Sequence, residues 1–311
     1  MKKIEKILLA IDGNAQKKAL VAEVSAITQD ATAHVTLLSI LDIPSGKEKL
    51  DVEPTELHTW MNEDRLELMK DISSGLVEKG IQVTIKQSFG KPYLEMIREA
   101  VKGDYDLIMK PARSDSRIKD VLFGSTDMQL FRMSPYPVWA FKPTPGSQLR
   151  KIICAVDLLK GDQEKNALAD KVLQWGKEIA KLVGTELHVI HIWDLYGELT
   201  LRGRSISANT VDKLVQDEKR LHRQLLDEAL ARNGLKLDKP QIHFRKGEAL
   251  ELIPLIVESV QPDLLVMGTI GRTGIPGFFI GNTADSVLRD VNCSVLAIKP
   301  DGFLTPVKLE G

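Results

Sequence analysis

The sequence predicts two tandem domains of the α/β class, each a doubly wound, five-stranded parallel sheet covered by helices on both faces. Three observations carry this. The chain has 311 residues, about two domains by the usual size relation. Its two halves repeat one another. Within each half, short runs that are apolar throughout alternate with longer segments of helical period, the pattern of strands buried on both faces.

The repeat is direct. Lys6-Ile7-Leu8-Leu9-Ala10-Ile11-Asp12 matches Lys151-Ile152-Ile153-Cys154-Ala155-Val156-Asp157 at an offset of 145, and Asp106-Leu107-Ile108-Met109 matches Asp263-Leu264-Leu265-Val266 at an offset of 157. FGSTDMQLFRMSPYPVWAFKP (Phe123 to Pro143) then lies over IGNTADSVLRDVNCSVLAIKP (Ile280 to Pro300) at that second offset without a gap. The second copy has thus gained about a dozen residues between its first and fourth strands. The expected domains are 1–143 and 150–311, joined by the turn-rich linker 144–149.

In the second half KIICAVD reads as strand one, and NALADKVLQWGKEIAKLV as a helix stopped by Gly184. ELHVIHIW is strand two, and Thr210 to Ala231 is a charged amphipathic helix ended by Asn233-Gly234. QIHFRKG, ALELIPLIVESV, DLLVMGT, TADSVLRDV and SVLAIK follow as strand, helix, strand, helix and strand. Such a Rossmann-like sheet binds ligands beyond the carboxyl ends of its strands, where the strand order reverses. The fifth strands, Pro137–Phe141 and Ser294–Ile298, close their respective sheets, and a strand left at an edge has free amides that need pairing or cover.

Charge excludes several functions. The 42 basic and 43 acidic residues leave a net charge of -1, with no footprint for nucleic acid or an anionic membrane. No apolar stretch approaches the ~20 residues of a membrane span, and MKKIEKILLAIDG lacks the cleavage site of a signal peptide. Cys154 and Cys293 lie in apolar strands and read as buried, reduced thiols. A cytoplasmic protein is expected.

Chemistry concentrates in GTIGRTGIPGFFIGNTADS, Gly268 to Ser286. Two residues separate Gly268 from Gly271, and nine then separate Gly271 from Gly281-Asn282-Thr283. Glycine lets backbone amides close around an anion. Asn282 or Thr283 is expected to cap the following helix, whose first amides and positive dipole end favour phosphate. The first half reads PARSDSRIKDVLFGSTDMQ there: Pro111 and Ser114 stand for the first glycine pair, and only Gly124-Ser125 survives. Proline has no amide hydrogen and a fixed φ, so this loop is not expected to wrap a triphosphate.

This spacing, the strand-one aspartate in each half and the closing strand resemble the universal stress protein family, in its tandem, E-type branch. The resemblance implies ATP as ligand, with Mg2+ as companion ion. It places Asp157 by the adenosine, Val156, Ile192 and Met267 along the base, and Gly268, Gly271, Gly281 and Asn282 around ribose and phosphates, with Arg272 and Thr283 beside them. Asn282 stands where the family has Ser or Thr, which leaves no hydroxyl to accept a phosphoryl group at that position. Asp12, Ile40, Gly124 and Ser125 mark a degenerate first-half counterpart. The resemblance also puts both fifth strands at sheet edges, so the implied partners are the nucleotide and, through those edges, the other half of the same chain, with two independent domains as the alternative and a homodimer left open.

Other residues carry less. His188 and His191 are three apart on one strand and point to opposite faces, wrong for a shared metal. Gly-x-Ser-x-Gly, Cys-x-x-Cys and P-loop motifs are absent from the sequence. No acid or lysine is spaced to join Asp157. Asp217-Glu218-Lys219-Arg220 reads as a solvated helix face. The expected function is a stress-response sensor or adaptor that binds ATP or a related nucleotide in its second domain. A carrier or scaffold for a non-nucleotide molecule and a slow ATPase remain the alternatives.

Overall fold

The computed structural model describes residues 4–12, 17–28, 33–41, 54–112, 122–142, 149–204, 206–269 and 280–309. The first half runs β1 (Lys6–Ile11), α1 (Lys17–Ile27), β2 (His34–Leu41), α2 (Pro54–Val77), β3 (Gln82–Phe89), α3 (Pro92–Gly103), β4 (Leu107–Pro111), α4 (Ser125–Met133) and β5 (Val138–Phe141). The second runs β6 (Lys151–Val156), α5 (Gln163–Val183), β7 (Glu186–Trp193), α6 (Glu198–Arg202), α7 (Ala208–Arg232), β8 (Ile242–Lys246), α8 (Ala249–Val260), β9 (Leu264–Gly268), α9 (Asn282–Asp290) and β10 (Ser294–Ile298). Every second-half element read from the sequence is present. The short helix α6 was not expected; its sequence is too brief to show a period.

All ten strands form one sheet in the order β3-β2-β1-β4-β5-β10-β9-β6-β7-β8. Within each half neighbouring strands are parallel, and the chain reverses direction across the sheet between strands one and four, at β1/β4 and at β6/β9. The halves meet where β5 and β10 run antiparallel, with Ala140 opposite Val295, Trp139 opposite Leu296 and Val138 opposite Ala297. The carbonyls of Pro137 and Phe141 accept from Ile108 and Ala112 on the β4 side. Backbone groups alternate sides along a strand, so those of Val138 and Ala140 face β10.

Side-chain alternation then builds two cores that run through both halves. On one face Leu9, Met109, Trp139, Leu296, Val266 and Cys154 pack under α1, α2, α5 and α7. On the other, Leu8, Ile108, Ala140, Val295, Leu265 and Ile190 pack under α3, α4, α8 and α9. Arg132 of α4 pairs with Asp285 of α9 across the joint at 2.6 Å. The C-terminal segment crosses back to the first half, where Val307 is buried and the Lys308 carbonyl accepts from Arg98 Nε at 3.0 Å.

The duplication is visible at single atoms. Asp106 Oδ2 accepts from the amides of Glu5 and Lys6, and Asp263 Oδ2 accepts from those of Arg150 and Lys151. Strand register locates the extra residues: His34 superposes on Glu186 at an offset of 152, and Ile85 on Ile242 at 157. Part of the gain therefore lengthens the β6–β7 connection, where α5 packs close to the sheet. A β-carbon on Gly176 would stand 2.1 Å from Cys154 Sγ. Both cysteines are free and buried, and burial raises both thiol pKa values, Cys293 to about 12.

Candidate functional site

The β6/β9 switch point gathers the predicted base-side residues by register alone. Ala155 faces Met267 and Val156 faces His191, so Val156, Asp157, Ile192 and Gly268 end their strands along one edge. Val156 and Met267 are buried, Ile192 is half-buried and Asp157 is exposed. The expectation that Asp157 lacks a partner is wrong: Lys165 Nζ lies 2.6 Å from its Oδ2. The loop after β6 folds back on α5, where Asp162 caps the helix through the Lys165 amide and Asn166 bonds both backbone groups of Leu159. That capped turn brings a lysine eight positions along the sequence beside the aspartate.

Gly268 has a packing reason of its own. Its missing β-carbon leaves room for Leu168 of α5, whose Cδ2 would stand 2.6 Å from it. Gly271 and Arg272 lie outside the described residues. Ile280 is buried, and Gly281 is the N-cap of α9. This corrects the assignment of the cap to Asn282 or Thr283. Those two are the exposed first residues of the helix, and no side chain caps it. Among the described residues no side chain serves the positive end of α9.

The first-half counterpart is closed from within. Asp12 is half-buried and Ile40 buried at the ends of β1 and β2, while Gly124 caps α4 and Ser125 is its exposed first residue. Ser114 falls outside the described residues. At the positions of Met267 and Ala284 this half carries Lys110 and Asp127, whose side chains are 8% and 1% exposed and 2.7 Å apart. Asp127 Oδ2 accepts from the Gly124 amide at 2.9 Å, and Lys110 Nζ donates to the Pro111 carbonyl at 2.8 Å. A carboxylate of the protein itself thus sits at the end of α4. Sequence reading missed this pair, although a lysine in the apolar run LIMKPA was its signal.

Lys299 was also missed. It is 4% exposed, donates to the Thr269 carbonyl at 3.3 Å, and lies 4.8 Å from the Phe303 ring centre. Burial lowers its ammonium pKa to about 7. The Thr269 hydroxyl reaches the Phe131 carbonyl of α4, so this residue ties the start of the glycine segment to the other half. His188 contacts His243 at 3.0 Å and Glu186 at 3.0 Å, whereas His191 contacts His222 at 2.9 Å. Among the described residues no group of three or more His, Cys, Asp or Glu could hold a metal, and no helix is long and apolar enough to cross a membrane.

The chain matches the model of the Universal stress protein family twice, over residues 3–142 and 148–299. Universal stress protein E of Escherichia coli (strain K12) is 33% identical over 233 residues, 74% of this chain and 72% of that one. Its counterpart from Salmonella typhi is 31% identical over 260 residues, 83% and 81% of the two chains. A putative universal stress protein structure from Pseudomonas aeruginosa UCBPP-PA14 is 25% identical with a TM-score of 0.71, covering 96% of this chain and 95% of that one. One from Archaeoglobus fulgidus DSM 4304, 20% identical with a TM-score of 0.66 over 96% and 99% of the chains, shares the fold. With one match on each half of a single ten-stranded sheet, the chain belongs to the universal stress protein family as a tandem, two-domain member.

Proposed function

We propose that this protein binds ATP or a related nucleotide once per chain, in its second half, and acts in the cytoplasm as a sensor or adaptor. A stress-response role follows from its family. The observation that carries the nucleotide reading is the contrast between two helix ends at equivalent switch points. Asp127 already serves the α4 end and is neutralised by Lys110. The α9 end has Ala284 in that place, no side-chain cap, and the Gly-x-x-Gly segment leading into it. Phosphates would meet the first α9 amides and the positive dipole end. Val156, Ile192 and Met267 offer an apolar wall for a base, and Asp157 offers a carboxylate for ribose hydroxyls. Arg272, Asn282 and Thr283 complete the phosphate side, and Mg2+ would enter with the triphosphate.

Calorimetry with MgATP on the full chain is the test. The expected stoichiometry is one, abolished by Gly271→Asp, which places a negative charge in the glycine segment, and retained by Ser114→Asp. Two sites per chain, or undiminished binding in Gly271→Asp, would overturn the assignment.

A further inference from the structure

The sheet ends in two unlike edges, β3 on one side and β8 on the other. β8 has five residues and carries the adjacent cations Arg245 and Lys246, the second of them paired with Glu198 of α6. A short, charged edge resists the addition of another strand. β3 has eight residues, QVTIKQSF, with one charge and neither proline nor glycine. Its register with β2 is unbroken from Gln82 to Phe89, so it keeps strand geometry along its whole length. The Gly90 amide donates to the Leu41 carbonyl of β2. Backbone groups alternate sides along a strand, so those of Thr84, Lys86 and Ser88 face β2 and those of Val83, Ile85 and Gln87 face outward. Among the described residues no strand pairs with that outer side.

A groove accompanies this edge. Thr84, Lys86 and Ser88 share the face that carries α3. Lys86 reaches Glu99 of α3 at 2.6 Å, and the Ser88 hydroxyl donates to Glu95 at 3.0 Å. Two adjoining clefts of about 220 and 200 Å³ open between the strand and the helix, and Lys86 lines both. At the offsets of 152 and 157, Thr36 and Lys86 fall on His188 and His243 of the second half, whose stacked rings, 5.3 Å between centres, occupy the equivalent place. The first-half groove is basic: Lys6, Lys86, Arg98 and Lys102 line it against Glu95 and Glu99. Both carboxylates are already engaged, Glu99 by Lys86 and Glu95 by Arg98, each at 2.6 Å. Lys102 is exposed, and Lys6 Nζ donates to the Gly103 carbonyl at 3.3 Å; among the described residues neither has an acidic partner.

We propose that β3 and this groove form a docking surface for an extended segment of another protein, one that carries acidic side chains at alternate positions. The segment adds to the sheet as a further strand. Its backbone pairs with the outward groups of Val83, Ile85 and Gln87, and every second side chain stands over the groove toward Lys102 and Lys6. Charge selects this occupant over a second copy of the chain, because pairing β3 with its own copy brings the groove cations of both molecules to one seam. The surface is independent of the nucleotide reading.

The test uses the full chain and a blocked ten-residue peptide of alternating glutamate and valine, with alternating lysine and valine as the control. Fluorescence anisotropy should show saturable binding of the acidic peptide and none of the basic one. Gln87→Pro removes an outward amide and leaves the β2 ladder intact; it should weaken binding about fivefold, the worth of one net hydrogen bond. Lys102→Glu reverses an exposed charge and should weaken it about threefold or more, a comparison that stands even if the proline variant fails to fold. Amide hydrogen exchange locates the peptide: Val83, Ile85 and Gln87 should slow on its addition, while Thr84 and Lys86, already bonded to β2, should change little. Absence of saturable binding, equal affinity for both peptides, or protection confined to other strands overturns the proposal. A parent that sediments as a dimer, and as a monomer in Gln87→Pro, assigns the edge to a second copy and overturns the acidic segment as its occupant.

Discussion

Replacing Lys110 and Asp127 by the residues that the second half carries at the same positions tests the account of the closed first-half cleft. The side chains are 8% and 1% exposed, and the ammonium lies 2.7 Å from the carboxylate. Asp127→Ala leaves a buried ammonium whose remaining hydrogen bond is to the Pro111 carbonyl, and it frees the Gly124 amide. Removing one member of a buried pair costs about 3–5 kcal/mol, and the lost cap adds about 1 kcal/mol. Lys110→Met leaves Asp127 with the Gly124 amide and the positive end of α4, so its cost falls at the lower end, about 3 kcal/mol. The double variant Lys110→Met/Asp127→Ala removes both charges and should lie within about 1 kcal/mol of the parent, because apolar residues of similar volume replace a buried pair at little net cost. Single losses of at least about 4 and about 3 kcal/mol against about 1 kcal/mol for the double variant imply a coupling of about 6 kcal/mol or more. Urea unfolding of the four proteins, followed by far-UV circular dichroism, measures it. Additive single effects, with the double variant the least stable of the four, would refute the pair as a closed, self-compensating unit.

Further expectations follow from single contacts. Ala140→Pro removes an amide that faces β10; it should cost about 1 kcal/mol or more and enlarge the radius of gyration in X-ray scattering, whereas unchanged scattering and melting would exclude that amide from the joint ladder. Burial holds the Lys299 pKa near 7 in the folded chain, below the value of 10.5 for a free lysine. Between those values the unfolded chain binds more protons, so stability contributed through Lys299 rises with pH across that window and is lost as pH falls through about 7. Urea midpoints near pH 7 and pH 9.5 should separate less in Lys299→Met than in the parent. Gly176→Ala drives a methyl group into Cys154 Sγ and should destabilise by about 1–3 kcal/mol; adding Cys154→Ala should recover most of it in the same unfolding assay.

Much of the fold was legible because its signals are local or repeated. Apolar runs such as Lys151–Val156 and Leu264–Gly268 are too short and too uniformly apolar for anything but buried strands between helices. The repeat transferred that reading to the first half, where elements are individually less distinct. The base-side positions Val156, Ile192 and Met267 came from the resemblance; what the structure adds is that parallel register aligns those strand ends along one edge. The cap of α9, the partner of Asp157 and the reason for Gly268 were not legible. Each depends on how a loop folds back or how closely a helix approaches, which no period records.

By itself the sequence determined two copies of one α/β unit, the order of strands and helices, and the half that retained its glycines, since backbone freedom and hydrophobic period are written residue by residue. Only the tertiary structure decided which side chains meet. It paired Lys110 with Asp127, 17 positions apart, and Lys165 with Asp157. It set the antiparallel register in which β5 meets β10, and it buried Lys299 beneath the segment that carries Phe303. Ion pairs, edge pairing and burial are properties of distance in space, and a chain sets those distances only after its helices have docked on the sheet.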